Sequence, residues 1–171
     1  LSGYPKSDIA GSAASLRGDC FFQQKKYKEA AADFQKFLAG QSAQKTPEDA
    51  RLQNAAQYRL ALCQLKTDQT AAGITGLQTL LKNVKDFPDA DRAWYDLGFA
   101  LLDSGNKEAE ATTAFQTLAT TFPESSLAGE AWFRVGEIHS GGDKKAEAVA
   151  AFGNGLKAKT LTPKLRETLL Y

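Results

Sequence analysis

The chain has 171 residues, of which 43% are hydrophobic and 24% charged, and its formal net charge is +1. This composition is that of an ordinary folded domain or one short repeat array, and it argues against intrinsic disorder. With 21 basic and 20 acidic side chains the chain has no positive field to gather phosphates, so no nucleic-acid partner is expected. No apolar run approaches the roughly 20 residues of a membrane span, and the first residues lack the basic-then-apolar pattern of a signal peptide.

Helices are predicted along the whole chain. Ala, Leu, Gln, Lys and Glu dominate, and these residues favour helix, whereas strand-like alternation is absent. Thr46-Pro47-Glu48-Asp49 is typical of a helix start, with a Thr cap, a Pro in the first turn and carboxylates near the positive end of the dipole. Thr162-Pro163 repeats this pattern. In chain order, we predict helices at 8–24, 27–39, 47–66, 69–84, 89–104, 107–121, 126–140, 144–158 and 163–171.

Two series of residues recur with one period, which indicates internal repeats. An aromatic residue returns at intervals of 37 or 38 residues, at Tyr58, Tyr95, Phe133 and Tyr171. A large apolar residue with Ala or Gly four positions before it forms the second series, at Phe34, Leu77, Phe115 and Phe152. Each repeat is predicted to form two helices.

The repeats resemble the tetratricopeptide repeat (TPR), whose pattern is W-x2-L-G-x2-Y, then A-x3-F, then P. The third unit offers Trp94, Leu97, Gly98, Leu101, Ala111, Phe115 and Pro123. The fourth offers Trp132, Val135, Gly136, His139, Ala148 and Phe152. The first offers Gly18, Phe21, Tyr27, Ala30 and Phe34, and the second Tyr58, Leu60, Ala61, Gly73 and Leu77.

The resemblance implies an all-α fold, an α-solenoid of antiparallel helix pairs that follows a right-handed superhelix. About four repeats and a truncated fifth are expected. The predicted segments are a lead-in at 1–10, repeats at 11–44, 45–88, 89–125 and 126–161, and the start of a fifth at 162–171. The period exceeds the usual 34, and junctions such as Phe87–Ala90 and Phe122–Ser125 look like those of TPR proteins of bacterial envelope assembly. A periplasmic or envelope location is therefore suspected.

A small residue stands at the same place in the first helix of every unit, at Gly18, Ala61, Gly98 and Gly136. Such a notch lets the two helices of a pair approach closely, while large residues elsewhere fill the space between units. One pair cannot bury its apolar faces alone, so neighbouring pairs are expected to stack.

Residues that carry chemistry are few. A zinc site would need nearly all of His139, Cys20 and Cys63, and they are scattered. We expect a packed, hydrogen-bonded His139 and no catalytic residue, metal or cofactor, so the chain is not predicted to be an enzyme. Cys20 and Cys63 occupy equivalent places in neighbouring units and are expected to be free, mostly buried thiols. A disulfide in an oxidising compartment is the alternative.

In TPR proteins the first helix of each pair lines a concave groove. The resemblance therefore implies a groove formed by Asp19, Phe22, Tyr58, Arg59, Leu62, Lys66, Arg92, Tyr95, Asp96, Phe99, Phe133, Arg134 and Glu137. The ladder of Tyr58, Tyr95 and Phe133 supplies aromatic contact area, although it can also be half core and half groove. Apolar residues stand where one TPR subclass carries a carboxylate clamp for chaperone termini, so no clamp is expected. Arg59 and Arg134 are expected to pair with acidic residues of a partner.

The function predicted from these observations is a non-enzymatic scaffold that binds a protein or peptide segment in its groove. One alternative is self-association through the truncated last helix, whose apolar side carries Leu165, Leu169 and Leu170. Another is an accessory region of a larger enzyme.

Overall fold

Eight α-helices make up the computed structural model, which describes residues 8–40, 46–159 and 167. The helices are α1 Asp8–Gln23, α2 Tyr27–Gly40, α3 Pro47–Leu65, α4 Thr70–Asn83, α5 Ala90–Asp103, α6 Glu108–Thr121, α7 Ala128–Gly141 and α8 Lys145–Leu156. The described ranges contain no strand. The all-α prediction is confirmed, and every predicted bound agrees within two residues. The predicted helix 163–171, with its Thr162-Pro163 start, lies outside the described residues except for residue 167.

The helices contact one another in consecutive pairs, α1 with α2, α3 with α4, α5 with α6 and α7 with α8. Short turns join the members of each pair, so they run antiparallel. The chain divides into two compact units, a first unit that ends at Phe87 and a second that begins at Pro88. Within the first unit α2 also contacts α3, and within the second α6 contacts α7. In each unit, therefore, the second helix of one pair packs on the first helix of the next.

Each turn inside a pair contains a residue in the left-handed region. These residues are Lys25, Asp68, Gly105 with Asn106, and Asp143. The turn after α7 is closed by the Lys144 N–H, which donates to the His139 carbonyl at 2.8 Å, as in a Schellman motif. Asp143 lies in the left-handed region within this turn (φ 57°), and the N-cap of α8 is Lys144, whose side chain makes no capping bond.

The start of α3 has the Thr cap that the sequence predicted, and the structure shows that this cap is part of a capping box. The Asp49 N–H donates to Oγ1 of Thr46 at 3.1 Å, and the Thr46 N–H donates to Oδ2 of Asp49 at 3.0 Å. Pro47 occupies the first turn, where a backbone N–H would have no partner within the helix, so its absence in proline loses no hydrogen bond.

Small residues lie where the helices of a pair cross, as predicted. A methyl group on Gly98 would lie only 2.6 Å from the ring of Phe115, and one on Gly18 only 3.0 Å from the ring of Phe34. The second pair reverses the roles, because Gly73 on α4 faces Leu65 of α3, and a methyl group on Gly73 would lie only 2.6 Å from Cδ2 of Leu65. The small residue of one helix thus leaves the space that a large side chain of the opposite helix fills.

The core of the first unit joins one helix pair to the next. Ala30, Phe34 and Phe37 of α2 form one buried cluster with Ala56 and Cys63 of α3. This contact is the stacking of neighbouring pairs that the repeat pattern predicts.

The two cysteines are both free, but they differ in burial. Cys63 lies in the buried cluster, whereas Cys20 is exposed. The expectation that both thiols are mostly buried is therefore wrong for Cys20. The position that Cys63 holds on α3 is covered by α2 of the preceding pair, and no described helix precedes α1 to cover Cys20.

Candidate binding surface

The predicted groove residues lie on α1 and α3 in the first unit and on α5 and α7 in the second. In the first unit Arg59 bridges the two helices. Its Nε lies 3.0 Å from Oδ1 of Asp19, and its guanidinium stacks 5.7 Å from the centre of the Phe22 ring. An arginine on the later helix is thereby held between an aromatic ring and a carboxylate of the earlier one.

Tyr58 lies in the interior of the first unit. Its side chain is 7% exposed and meets the edge of the Phe87 ring, with 5.5 Å between ring centres. This member of the predicted aromatic ladder therefore packs in the core. Leu62 is half-buried, and Lys66 is exposed at the end of α3.

The corresponding surface of the second unit is richer in aromatic residues. On α5 the rings of Tyr95 and Phe99 meet edge to face, with 4.9 Å between their centres. Both also contact the buried ring of Phe115, at 6.0 and 5.3 Å. Both are half-buried, so each ring is fixed on one side by the core and reaches solvent on the other. We call this surface the α5–α7 face; its residues are Arg92, Tyr95, Asp96, Phe99, Glu130, Phe133, Arg134 and Glu137.

Arg134 holds the α5–α7 face together. Its Nε and Nη2 donate to Oε1 of Glu130 at 3.1 and 2.5 Å, and its Nη1 donates to Oε2 of Glu137 at 2.7 Å. The guanidinium also stacks on the rings of Phe99 and Phe133, at 5.3 and 5.4 Å from their centres. Partial burial lowers the pKa of Arg134, but the bonds and charges of the two glutamates outweigh it and raise the pKa above its ordinary value.

We expected Arg134 to pair with an acidic residue of a partner. Its charge is instead balanced within the chain by Glu130 and Glu137. Glu130 was not among the predicted site residues. The signal that could have identified it is its position four residues before Arg134 on the same helix, where opposite charges meet.

Tyr95 is affected by the same cluster. Burial raises the pKa of its phenol, and the charges of Glu130 and Asp96 raise it further, while Arg134 lowers it. The hydroxyl therefore remains protonated at neutral pH and can donate a hydrogen bond. Phe133 completes the aromatic part of the face, half-buried and tilted against Phe152 with 5.8 Å between ring centres.

A cleft of about 740 Å³ opens beside the α5–α7 face, between the start of α6 and the end of α7. Glu137 lines both the face and this cleft, and Glu108, His139 and Lys144 lie around it. His139 is thus half-buried on the wall of a cleft, whereas the sequence predicted a packed histidine. Among the described residues no group of His, Cys, Asp and Glu side chains is arranged to hold a metal ion.

No helix in the described part of the chain is long and apolar enough to cross a membrane.

Several solved structures share the fold. The chain resembles a crystal structure of MamA with a TM-score of 0.71 and 19% identity, over 96% of this chain and 84% of that one. It resembles YrrB, described as a TPR protein with an unusual peptide-binding site, with a TM-score of 0.68 and 18% identity, over 93% and 73% of the two chains. PilF of Pseudomonas aeruginosa gives a TM-score of 0.64 and 18% identity, over 96% and 69%.

No curated protein sequence matches the chain significantly. The profile of the tetratricopeptide repeat matches residues 8–50 and 58–126. The pair α7–α8 lies entirely beyond these matches, yet its Gly136 faces the ring of Phe152 as Gly98 faces Phe115. The chain therefore belongs to the tetratricopeptide repeat family.

Proposed function

We propose that this chain is a protein-interaction module that binds an extended or helical segment of a partner protein on the first helices of its repeats. The observation that carries this proposal is the α5–α7 face, where Tyr95, Phe99 and Phe133 are anchored in the core and partly open to solvent. Aromatic side chains, Phe among them, are enriched at protein interfaces, and Tyr is one of the residues that most often dominate the binding energy.

Family membership and the likeness to YrrB support a scaffold role. Members of this family are generally non-catalytic scaffolds, and the lack of enzymatic activity stays a prediction for this chain. The domain limits and the superhelical path given above stay predictions as well.

The test is a selection of peptides from a random display library on the intact 171-residue chain, followed by affinity measurements on variants. Tyr95→Ala and Phe99→Ala should each weaken the selected peptides at least about tenfold, as expected for aromatic anchors. Tyr95→Phe keeps the ring and should retain most of the affinity for apolar segments. Val149→Ala is the matched control, because Val149 is 71% exposed on α8.

Phe99 also packs on Phe115, so thermal unfolding must show that Phe99→Ala is folded at the temperature of the binding measurement. Binding that is equal in wild type, Tyr95→Ala and Phe99→Ala would remove the α5–α7 face from the proposal.

Two further proposals rest on the sequence. Self-association through Leu165, Leu169 and Leu170 involves residues outside the described ranges, and sedimentation at increasing protein concentration tests it. A location in the bacterial envelope is supported by the junctions Phe87–Ala90 and Phe122–Ser125, and osmotic-shock fractionation of producing cells tests it.

A further inference from the structure

The α5–α7 face carries more negative than positive charge. Three carboxylates, Asp96, Glu130 and Glu137, stand against two guanidiniums, Arg92 and Arg134. Arg134 pairs with both glutamates but balances the charge of only one of them. The α5–α7 face therefore keeps a surplus of one negative charge, although the chain as a whole has a net charge of +1.

Both glutamates retain capacity beyond Arg134. The bonds from Arg134 use Oε1 of Glu130 and Oε2 of Glu137, so the other oxygen of each carboxylate is not engaged by Arg134. A carboxylate has about four acceptor positions. Glu137 is exposed. Its Oε1, which Arg134 does not use, can accept a hydrogen bond from a partner at the surface next to Phe133.

The aromatic surface beside these charges is partly covered by Arg134. The guanidinium stacks on Phe99 and on Phe133 and thereby shows that these rings accept a planar cation at close range. Next to them, the cleft at the end of α7 holds two carboxylates, Glu108 and Glu137, and one lysine, Lys144. It is large enough to admit a long side chain that extends from a segment lying on the face.

We infer that the segment bound by the α5–α7 face is a basic one, in which a Lys or Arg stands next to apolar residues. The inference rests on the proposed binding function and adds the charge of the partner. Apolar residues of the segment contact Tyr95, Phe99 and Phe133, and its cation pairs with Glu137. An acidic segment would instead meet a surplus of carboxylates, which repels it.

Three display libraries on the intact chain test this inference. They share random apolar positions, and their polar positions are restricted to Lys and Arg, to Gln and Ser, or to Glu and Asp. A peptide is counted as a binder only when the Phe99→Ala substitution abolishes its binding. The basic library should yield the most binders and the acidic library the fewest. Non-specific attraction to a chain of net charge +1 would produce the opposite order, so it cannot imitate the expected result.

A charge substitution provides the second measurement. Glu137→Gln should weaken basic binders by about two- to fivefold at low salt, which is the range of an exposed ion pair, and this difference should shrink as salt is added. Glu147→Gln is the matched control, since Glu147 is an exposed carboxylate in the first turn of α8. It should leave the affinity unchanged.

The outcomes separate the two proposals. If Phe99-dependent binders come mainly from the neutral or acidic library, or if Glu137→Gln has no effect on basic binders, the charge inference is wrong and the binding function stands. If no library yields a Phe99-dependent binder, the binding function itself fails.

Discussion

Single glycines determine how closely the helices of a pair approach. Gly98 has no room for a methyl group, because Phe115 is fully buried and cannot turn away. Gly98→Ala should therefore lower the free energy of unfolding by about 1–3 kcal/mol, the usual cost of overpacking. Gly153 offers a control with the same substitution, since a methyl group there meets nothing within 4 Å.

Gly153 lies inside α8, where glycine is a poor helix former. Gly153→Ala should raise the free energy of unfolding by about 0.5–1 kcal/mol. Urea unfolding of the two variants measures both values. Equal changes at the two positions would contradict the notch described for Gly98.

The two thiols should react at very different rates. Burial raises the pKa of Cys63 to about 11, with a smaller opposite effect from Arg59, and the thiolate is the reactive form. Native protein at pH 7 should therefore take up one equivalent of alkylating reagent quickly, at the exposed Cys20. The second equivalent should react only in denaturant. Cys20→Ser should abolish the fast phase, and its persistence in that variant would show that Cys63 is accessible.

At the scale of elements, the same device joins neighbouring first helices in both units. Arg59 stacks on Phe22 and pairs with Asp19 in the first unit. Arg134 stacks on Phe99 in the second unit, and the carboxylates that it pairs with lie on its own helix.

Helix bounds could be predicted because caps and breakers act within a few residues of the chain. The partners of Arg59 could not, because Asp19 and Phe22 lie about one repeat away and only the stacking of pairs brings them close.

The ends of elements offer a clean local test. Thr46→Ala removes the hydroxyl that accepts the Asp49 N–H at the start of α3, and it should cost about 1 kcal/mol of unfolding free energy. Thr46→Ser keeps the acceptor and should be nearly neutral. Chemical denaturation of both variants measures the difference, and an alanine variant as stable as the serine variant would show that the capping box contributes nothing.

At the scale of the molecule, the sequence predicted the repeat, the number of described helices and the seats of the large residues, because each depends on one period. The sequence could not predict how exposed the residues at equivalent positions of different repeats are. Tyr58 is buried against Phe87, whereas Tyr95 is half-buried. The contact with Phe87 accounts for the burial of Tyr58, and the aromatic series alone does not predict that contact.

Stability in repeat proteins is a sum of local contributions from pairs and the contacts between neighbours. Gly98→Ala should therefore weaken the second unit more than the first, since Gly98 and Phe115 both belong to the second. Native-state hydrogen exchange should show faster exchange in α5 and α6 of this variant, while α1 and α2 keep the protection of the wild type. Gly153→Ala should not reduce protection in any helix. A uniform loss of protection across all described helices in Gly98→Ala would mean that the 171 residues open as one cooperative block, and that the repeats are not separable in energy.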